Sequence, residues 1–92
     1  MTTEKSTIAS DLNQKGAEFL KIELQTGMTF ASIALSEERG SDKRIRNQAN
    51  ARKAYETVLR LRERLESPSE ATRHSIEEGL ERLRRALEKL DD

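Results

Sequence analysis

Apolar residues recur every three or four positions along most of the chain, and this spacing constrains the fold more than any other feature. Such spacing places an apolar stripe along one side of an α-helix. A half-buried β-strand instead alternates apolar with polar residues, and no segment of this sequence shows that alternation. The chain therefore predicts an all-α fold.

A first break in the helical pattern lies at residues 38–42. Gly40 can adopt the left-handed backbone conformation that ends a helix, and Ser41 or Asp42 can cap the helix that follows. This break separates a first predicted helix from a second one.

A second break lies at residues 66–70. Ser67 can cap a helix, Pro68 fits the first helical position, and Glu70 completes a capping box. Two breaks divide the chain into three helices. Their predicted spans are Ser6 or Lys15 to Arg39, Asp42 to Glu66, and Pro68 to Leu90.

Each predicted helix carries an apolar stripe that can face a shared core. The stripe of the first helix consists of Ala17, Leu20, Leu24, Gly27, Met28, Ala31, Ala34 and Leu35. Because short connections place consecutive helices side by side, we expect a three-helix antiparallel bundle, built as a helical hairpin plus a third packing helix. Residues 15–92 form this single domain, and residues 1–14 are predicted to be a flexible arm or a frayed helix start.

Length and composition limit what this bundle can be. The chain has 92 residues, of which 34% are hydrophobic and none is cysteine. A domain of this size buries only about 60% of its unfolded surface, so self-association would help it. The absence of cysteine excludes a disulfide framework. No segment resembles a signal peptide or a membrane helix, so we expect a cytoplasmic protein that does not bind a membrane.

Residues suited to catalysis are scarce. His74 is the only histidine and there is no cysteine, so the chain has almost no material for a Ser/His/Asp or Cys/His catalytic arrangement, and it cannot supply several histidine or cysteine ligands to zinc. His74 is expected to be exposed and to pair with a carboxylate on its own helix. No glycine-rich phosphate loop is present. The sequence predicts no enzyme, no cofactor and no metal.

Two glycines lie inside predicted helices, where glycine costs about 1 kcal/mol relative to alanine. Gly27 lies on the apolar stripe of the first helix, so we expect a neighbouring backbone to approach it closely. Gly79 is interpreted as merely tolerated, because the leucines of the third helix hold that helix in place.

A candidate interaction surface lies on the first helix, nearly opposite its apolar stripe. It consists of Ile22, Thr26, Thr29 and Ile33. Two interpretations remain open. Either the first helix is central and its own bundle buries it on both sides, or this surface binds a protein partner, for which a second copy of the chain is one candidate.

Charge is uneven along the chain, although the 17 basic and 17 acidic residues cancel. Residues 39–64 carry nine basic and three acidic groups, whereas both flanking segments are acidic. This pattern favours packing of the second helix between acidic neighbours. An alternative is a basic face that binds RNA or phosphate. Its residues would be Arg44, Arg46, Arg52 and Lys53. Nucleic acid is the less favoured partner, because net charge is zero and only Tyr55 could stack on a base.

The first two helices resemble a lengthened tetratricopeptide-type hairpin. In that family a glycine precedes an aromatic residue by three positions, as Gly27 precedes Phe30. A small residue precedes an aromatic one by four in the next helix, as Ala51 precedes Tyr55. The resemblance implies a protein-interaction scaffold, with the third helix acting as a cap. The stretches FLKIELQTGMTFASIAL and NARKAYETVLRL also resemble small uncharacterised helical proteins of bacteria. We therefore expect a non-enzymatic protein–protein interaction or assembly module.

Overall fold

The computed structural model describes residues 2–91, and it describes side chains for residues 13–91. Within that range the chain forms helices and no β-strand. They are α1 (Thr2–Ser36), α2 (Asp42–Leu61), a short 3-10 turn (Arg62–Arg64) and α3 (Glu70–Asp91). Every pair of the three α-helices is in contact, so the predicted all-α three-helix bundle is confirmed.

The expected arm or frayed helix start at residues 1–14 stays a prediction. The backbone is helical from Thr2. The side chains of residues 1–12 lie outside the described ones, so no contact bears on that prediction. Asn13 is the first residue with a described side chain, and it contacts Glu66 in the connection between α2 and α3.

The connection between α1 and α2 has the predicted caps, although α1 ends three residues earlier than expected. Gly40 has a φ of 81°, and the hydroxyl of Ser41 accepts a hydrogen bond from the Arg44 N–H at 3.1 Å. The Ser36 hydroxyl donates to the Ile33 carbonyl at 2.7 Å. The last carbonyls of a helix have no backbone partner within the helix, and the Ser36 side chain satisfies one of them here.

The connection between α2 and α3 differs from the prediction. Ser69, not Ser67, caps α3, because the Ser69 hydroxyl accepts the Thr72 N–H at 3.1 Å. The predicted capping box at Ser67 is therefore wrong. Pro68 precedes the cap, and a proline disfavours helical backbone in the residue before it. Ser67 lies outside the helical region, with a φ of 41° in the left-handed region.

Asn13 fixes this second connection against α1. Its side-chain amide donates to the Glu66 carbonyl at 2.8 Å and accepts the Glu66 N–H at 2.8 Å. The Asn13 amide thus forms both of its hydrogen bonds with the backbone of one residue, Glu66. The segment that follows α2 therefore lies beside the Asn13 turn of α1, where Gly16 is next to Leu65.

The core lies between all three helices and is built mostly from alanine and leucine. Leu20, Val58 and Leu83 are its largest fully buried side chains. The other buried members include Leu24, Ala31, Ala34, Ala51, Ile76, Leu80, Ala86, Leu87 and Leu90. Most of the predicted stripe of the first helix and the leucines of the third helix therefore face a shared interior. The prediction is wrong for Leu35, which lies in the last turn of α1, is 40% exposed and is not part of the core.

Reciprocal glycine–leucine contacts join α1 to α3. A Cβ placed on Gly27 would lie 2.7 Å from Leu83 Cδ2, and one placed on Gly79 would lie 2.8 Å from Leu24 Cδ1. Side chains, and not a backbone, thus approach Gly27. The interpretation of Gly79 as merely tolerated is wrong, because it receives Leu24. The order of these contacts also shows that α1 and α3 run parallel.

Candidate interaction surface

The predicted surface on α1 lies on the side of the helix that faces away from the core. The Ile22 side chain is 58% exposed, and Thr29 is exposed as well. Thr26 and Ile33 are half-buried. The alternative that the bundle buries α1 on both sides is therefore excluded at Ile22. An isoleucine with more than half of its surface in water gains less from the fold of its own chain than a buried one does.

Phe19 belongs to this surface and was not predicted there. The sequence analysis left it out of the candidate surface, yet its side chain is 47% exposed. Five residues now share the surface at steps of three, four, three and four, and we name them the outer face of α1. They are Phe19, Ile22, Thr26, Thr29 and Ile33. That alternation is the spacing by which one helix packs on another, and it could have been recognised in the sequence.

The hydroxyl of Thr29 does not add an unsatisfied donor to the outer face. The Thr29 hydroxyl donates to the Gln25 carbonyl at 3.1 Å, within the same helix. A threonine hydroxyl that bonds to its own helix has its donor satisfied without a partner. The remaining methyl group adds to the apolar surface. The outer face therefore carries three larger apolar residues, Phe19, Ile22 and Ile33, and two smaller threonines.

One basic and one acidic residue lie beyond the two ends of the outer face. Lys15 precedes Phe19 by four residues and is exposed. Glu37 follows Ile33 by four residues and pairs with Lys43 of α2 at 3.2 Å. The Glu37 carboxylate keeps about a third of its surface exposed in this pair. Glu37 lies one residue beyond the end of α1, and Lys43 compensates its charge, so of these two residues only Lys15 adds an unpaired charge next to the outer face.

The alternative basic face does not form one surface on α2. Arg44 is buried, and its Nη1 donates to the Ala34 carbonyl at 3.3 Å and to the Glu37 carbonyl at 3.0 Å. A cation at the C-terminal end of a helix is favoured by the helix dipole. Arg44 therefore caps α1 and is turned away from solvent. Charge counting along the sequence could not reveal this role.

Arg52 is also engaged within the bundle. Its Nη2 donates to both carboxylate oxygens of Asp91, at 3.0 and 3.1 Å. Gln48 donates to the same carboxylate at 2.8 Å. Arg46 and Lys53 are exposed. Three of the four predicted basic residues are thus exposed, and one of them, Arg52, pairs with Asp91 at the surface. This pair joins α2 to the end of α3, which fits the expected pairing of a basic helix with an acidic neighbour.

The exposed side of α3 carries a network of ion pairs. Arg84 donates to Glu81 at 2.7 Å and also bonds to Glu88, while Arg85 donates to Glu81 at 3.2 Å. The hydrogen bond from Arg84, followed by that from Arg85, lowers the pKa of Glu81 to about 2. The hydrogen bond to Glu81, followed by the negative charges of Glu81 and Glu88, raises the pKa of Arg84. These groups are solvated, so the network supports the helix and forms no enclosed site.

His74 behaves as the sequence predicts. It is exposed, and its Nε2 lies 3.5 Å from the Glu78 carboxylate one turn later on α3. In the part of the chain that the structure describes, no three histidine or acidic side chains come together in a group that could hold a metal ion. Nor does any helix there have the length and apolar character needed to cross a bilayer.

The larger concave regions are open grooves between helices. One of about 700 Å³ lies between α1 and α3, and Leu24 and Gly79 form part of its floor. Another of about 380 Å³ lies beside the Asn13–Glu66 contact, and Phe19 lines one wall of it. The second groove thus adjoins the outer face of α1 and increases the apolar surface at the Phe19 end.

Comparison of the chain with protein-family models, with curated proteins and with solved structures gives no match. The resemblance to a tetratricopeptide-type hairpin consequently stays a prediction. Gly27 carries part of that resemblance, and the structure places it against Ala54 of α2, with 3.0 Å between the Ala54 Cβ and a Cβ built on Gly27.

Proposed function

We propose that this protein is a non-enzymatic interaction or assembly module that binds another protein through the outer face of α1. The observation that carries the proposal is the exposure of Ile22 and Phe19 on a helix whose opposite side is already packed. Exposed apolar residues that lie together on one face mark an interaction surface more often than scattered single ones do.

The form of the outer face indicates what kind of partner it binds. Its residues follow the three–four spacing of a helix that packs lengthwise on another helix. Phe19 and Ile22 provide large apolar side chains, and aromatic residues are enriched among those that dominate binding energies. The partner therefore presents an amphipathic helix. A helical scaffold is also what the tetratricopeptide-type resemblance implies.

Variants of the full-length chain test this function by comparative capture from cell extract. Ile22→Lys places a charge in the centre of the outer face and is expected to remove a specific partner. Arg46→Gln is the matched control, because Arg46 is exposed on a different helix. A protein retained by the wild type and the control but lost with Ile22→Lys supports the proposal. Identical protein sets for all three chains contradict it.

The alternative, binding of RNA or phosphate by the basic second helix, has less support. Arg44 is buried at the end of α1, and the exposed Arg52 already forms an ion pair with Asp91. Arg46 and Lys53 remain as exposed phosphate ligands. Binding that depends on phosphate contacts weakens steeply with salt. A titration with single-stranded RNA at two salt concentrations tests the alternative, which requires salt-sensitive binding that Arg46→Gln/Lys53→Gln abolishes.

A further inference from the structure

We propose that the outer face of α1 binds an amphipathic helix of another protein, and that this helix carries acidic residues along one edge. The inference rests on the proposed function and adds the charge of the partner to it. The observation behind it is a set of exposed basic side chains on α2 and on the turn that follows α2, which we name the basic row. The basic row consists of Lys53, Arg60 and Arg64.

The basic row lies on one side of α2, next to the outer face of α1. Lys53 and Arg60 are seven residues apart, which is two helical turns, so they lie on the same side of α2. Arg64 follows Arg60 by four residues, in the 3-10 turn Arg62–Arg64. Arg64 and Phe19 line the same groove. This shared groove joins the basic row to the apolar residues of the outer face.

Contacts between α1 and α2 place the basic row level with the most apolar part of the outer face. One end of the row is next to Ala54, which lies against Gly27, and the other end is next to Leu65, which lies beside Gly16. The basic row is therefore level with residues 16–27 of α1. This stretch contains both of the large apolar side chains of the outer face that are exposed.

The basic row has no partner within the chain. None of its three side chains forms a hydrogen bond or an ion pair with another described residue. Lys43, Arg44 and Arg52, by contrast, all bond to groups outside α2. Arg46 is exposed too, but it lies close to Arg44 at the end of α1 and so is not part of the row. The fold thus leaves the charges of the basic row for a partner.

Nearby carboxylates do not neutralise the basic row. Residues 53–64 carry four basic and two acidic groups. The acidic ones are Glu56 and Glu63, and neither forms an ion pair with the row. Glu23, which is half-buried on α1, does not pair with the row either. A positive excess therefore remains beside the outer face.

The opposite edge of the outer face has no comparable charge. Its exposed residues recur every seven positions, as Glu18, Gln25 and Ser32. Lys21 follows Glu18 by three residues and offsets its charge. A helix that lies lengthwise on the outer face has one flank over each edge. The flank over the basic row therefore favours acidic residues, because complementary charges across an interface set orientation and specificity.

The length of the outer face sets the length of the partner helix. From Phe19 to Ile33 α1 rises about 21 Å, at about 1.5 Å per residue, so a helix of about four turns covers it. The basic row faces acidic residues on the partner that recur at a similar spacing, seven and four residues apart. Such an amphipathic helix with apolar residues every three or four positions is a common ligand of apolar grooves.

Designed peptides take the place of the partner in the test. The probes are three synthetic helical peptides of about five turns that share one leucine stripe. They differ only in the residue repeated along one edge, which is glutamate, glutamine or lysine. Fluorescence anisotropy measures their binding to the full chain. The glutamate peptide is expected to bind at least about tenfold more tightly than the glutamine peptide, and the lysine peptide is expected to bind most weakly.

Reversal of the charge of the basic row tests the contact itself. Lys53→Glu/Arg60→Glu is expected to invert the preference, so that this variant selects the lysine peptide. Arg82→Glu/Lys89→Glu is the matched control, because it makes the same charge change at the same spacing of seven residues on exposed positions of α3. The control should keep the preference for the glutamate peptide. A preference that the first variant does not alter, or that both variants alter equally, would overturn the proposal.

Ile22→Lys separates failure of this inference from failure of the proposed function. Both require that this variant loses the glutamate peptide. If all three peptides bind the wild type equally and Ile22→Lys loses them all, the outer face binds helices, and only the inference about charge is overturned. If no peptide binds the wild type, the inference is overturned, and the proposed function is decided by whether Ile22→Lys loses a specific protein during capture.

Two other anionic partners give distinct results with the same variants. Vesicles of phosphatidylcholine with about one third phosphatidylserine present an anionic lipid surface. Vesicle binding that both Ile22→Lys and Lys53→Glu/Arg60→Glu abolish, without selection among the peptides, would overturn the proposal in favour of a membrane surface. Binding of single-stranded RNA that requires the basic row but persists in Ile22→Lys, again without selection among the peptides, would overturn it in favour of a nucleic acid.

Discussion

The two sides of α1 contain similar apolar residues but have opposite environments. On the inner side Leu20, Leu24 and Ala31 are almost completely removed from water, and Gly27 receives a leucine from α3. On the outer side Ile22 and Phe19 keep about half of their surface in water. Spacing alone makes the two sides look alike, since both follow three- and four-residue steps.

The difference between the sides arises from residue size. The inner side contains alanines and a glycine, which let α2 and α3 approach closely and leave little space unfilled. Such close packing is the main source of specificity in a small core. The outer side has no small residue that receives a side chain from another helix of the bundle. The inner side therefore holds the chain together, and the outer side is left for association.

Truncation of a leucine on the inner side is expected to have the largest effect. Leu24→Ala removes a buried side chain that fills the space beside Gly79, and it should lower the free energy of unfolding by about 3 kcal/mol. The matched change on the outer side, Ile22→Ala, should alter it by less than about 0.5 kcal/mol in dilute solution. Urea unfolding of both variants at low micromolar concentration provides the measurement.

Equal losses from Leu24→Ala and Ile22→Ala would contradict the distinction between the two sides. That result would mean that Ile22 is buried by the chain itself. The slope of the unfolding transition serves as a control, because it should be the same for both variants if the folded state keeps its compactness.

Enlargement of adjacent residues should have a smaller and equally asymmetric effect. A Cβ on Gly27 would lie 2.7 Å from Leu83 and 3.0 Å from Ala54, so Gly27→Val forces packed neighbours to move. We expect a net loss of about 1 to 2 kcal/mol, since overpacking outweighs the gain in helix propensity. Thr26→Val, one residue earlier but on the outer side, should not lower stability. Thermal unfolding of the two variants is the measurement. An unchanged melting temperature for Gly27→Val would contradict close packing on the inner side.

The fold could be predicted from the sequence because helical spacing and helix ends are local signals. Gly40 and Ser41 marked the first connection correctly, since the conformation of one residue and one hydroxyl determine it. The predicted cap of α3 was wrong by two residues, because Ser67 and Ser69 are the same residue type and the sequence does not distinguish them as caps. The structure places the bond at Ser69, after Pro68, whose ring disfavours helical backbone at Ser67.

Functional residues were predicted less well because they depend on contacts between distant parts of the chain. Arg44 counted as one of several exposed basic residues, and only its position beside the Ala34 and Glu37 carbonyls reveals a cap. The sequence offers no reason for a glycine at position 79, because the reason is a contact with Leu24 of another helix. Phe19, by contrast, could have been placed on the outer face from its spacing alone.

The smallest expected effect concerns the ion pairs on the exposed side of α3. Hydrogen bonds from Arg84 and Arg85 lower the pKa of Glu81 from 4.5 to about 2. A carboxyl whose pKa is lowered by folding stabilises the protein above pH 4.5, and this contribution is lost as the pH falls towards 2. The difference in stability between the wild type and Glu81→Gln should therefore shrink across that range.

Unfolding at several pH values between 2 and 6 measures this difference. Because Glu81 is solvent-exposed, added salt should weaken the pair and serves as the control. A difference between the wild type and Glu81→Gln that stays constant from pH 6 to pH 2 would show that Glu81 makes no favourable ion pair in the folded chain.

The melting temperature as a function of the concentration of the glutamate peptide tests most directly whether the outer face of α1 binds an acidic amphipathic helix. A ligand that binds only the folded chain raises the melting temperature as its concentration rises. We predict such a rise for the wild type between about 5 and about 500 µM peptide, and no rise for Ile22→Lys. A wild-type melting temperature that does not change with peptide concentration, equal in trend to that of Ile22→Lys, would contradict the account.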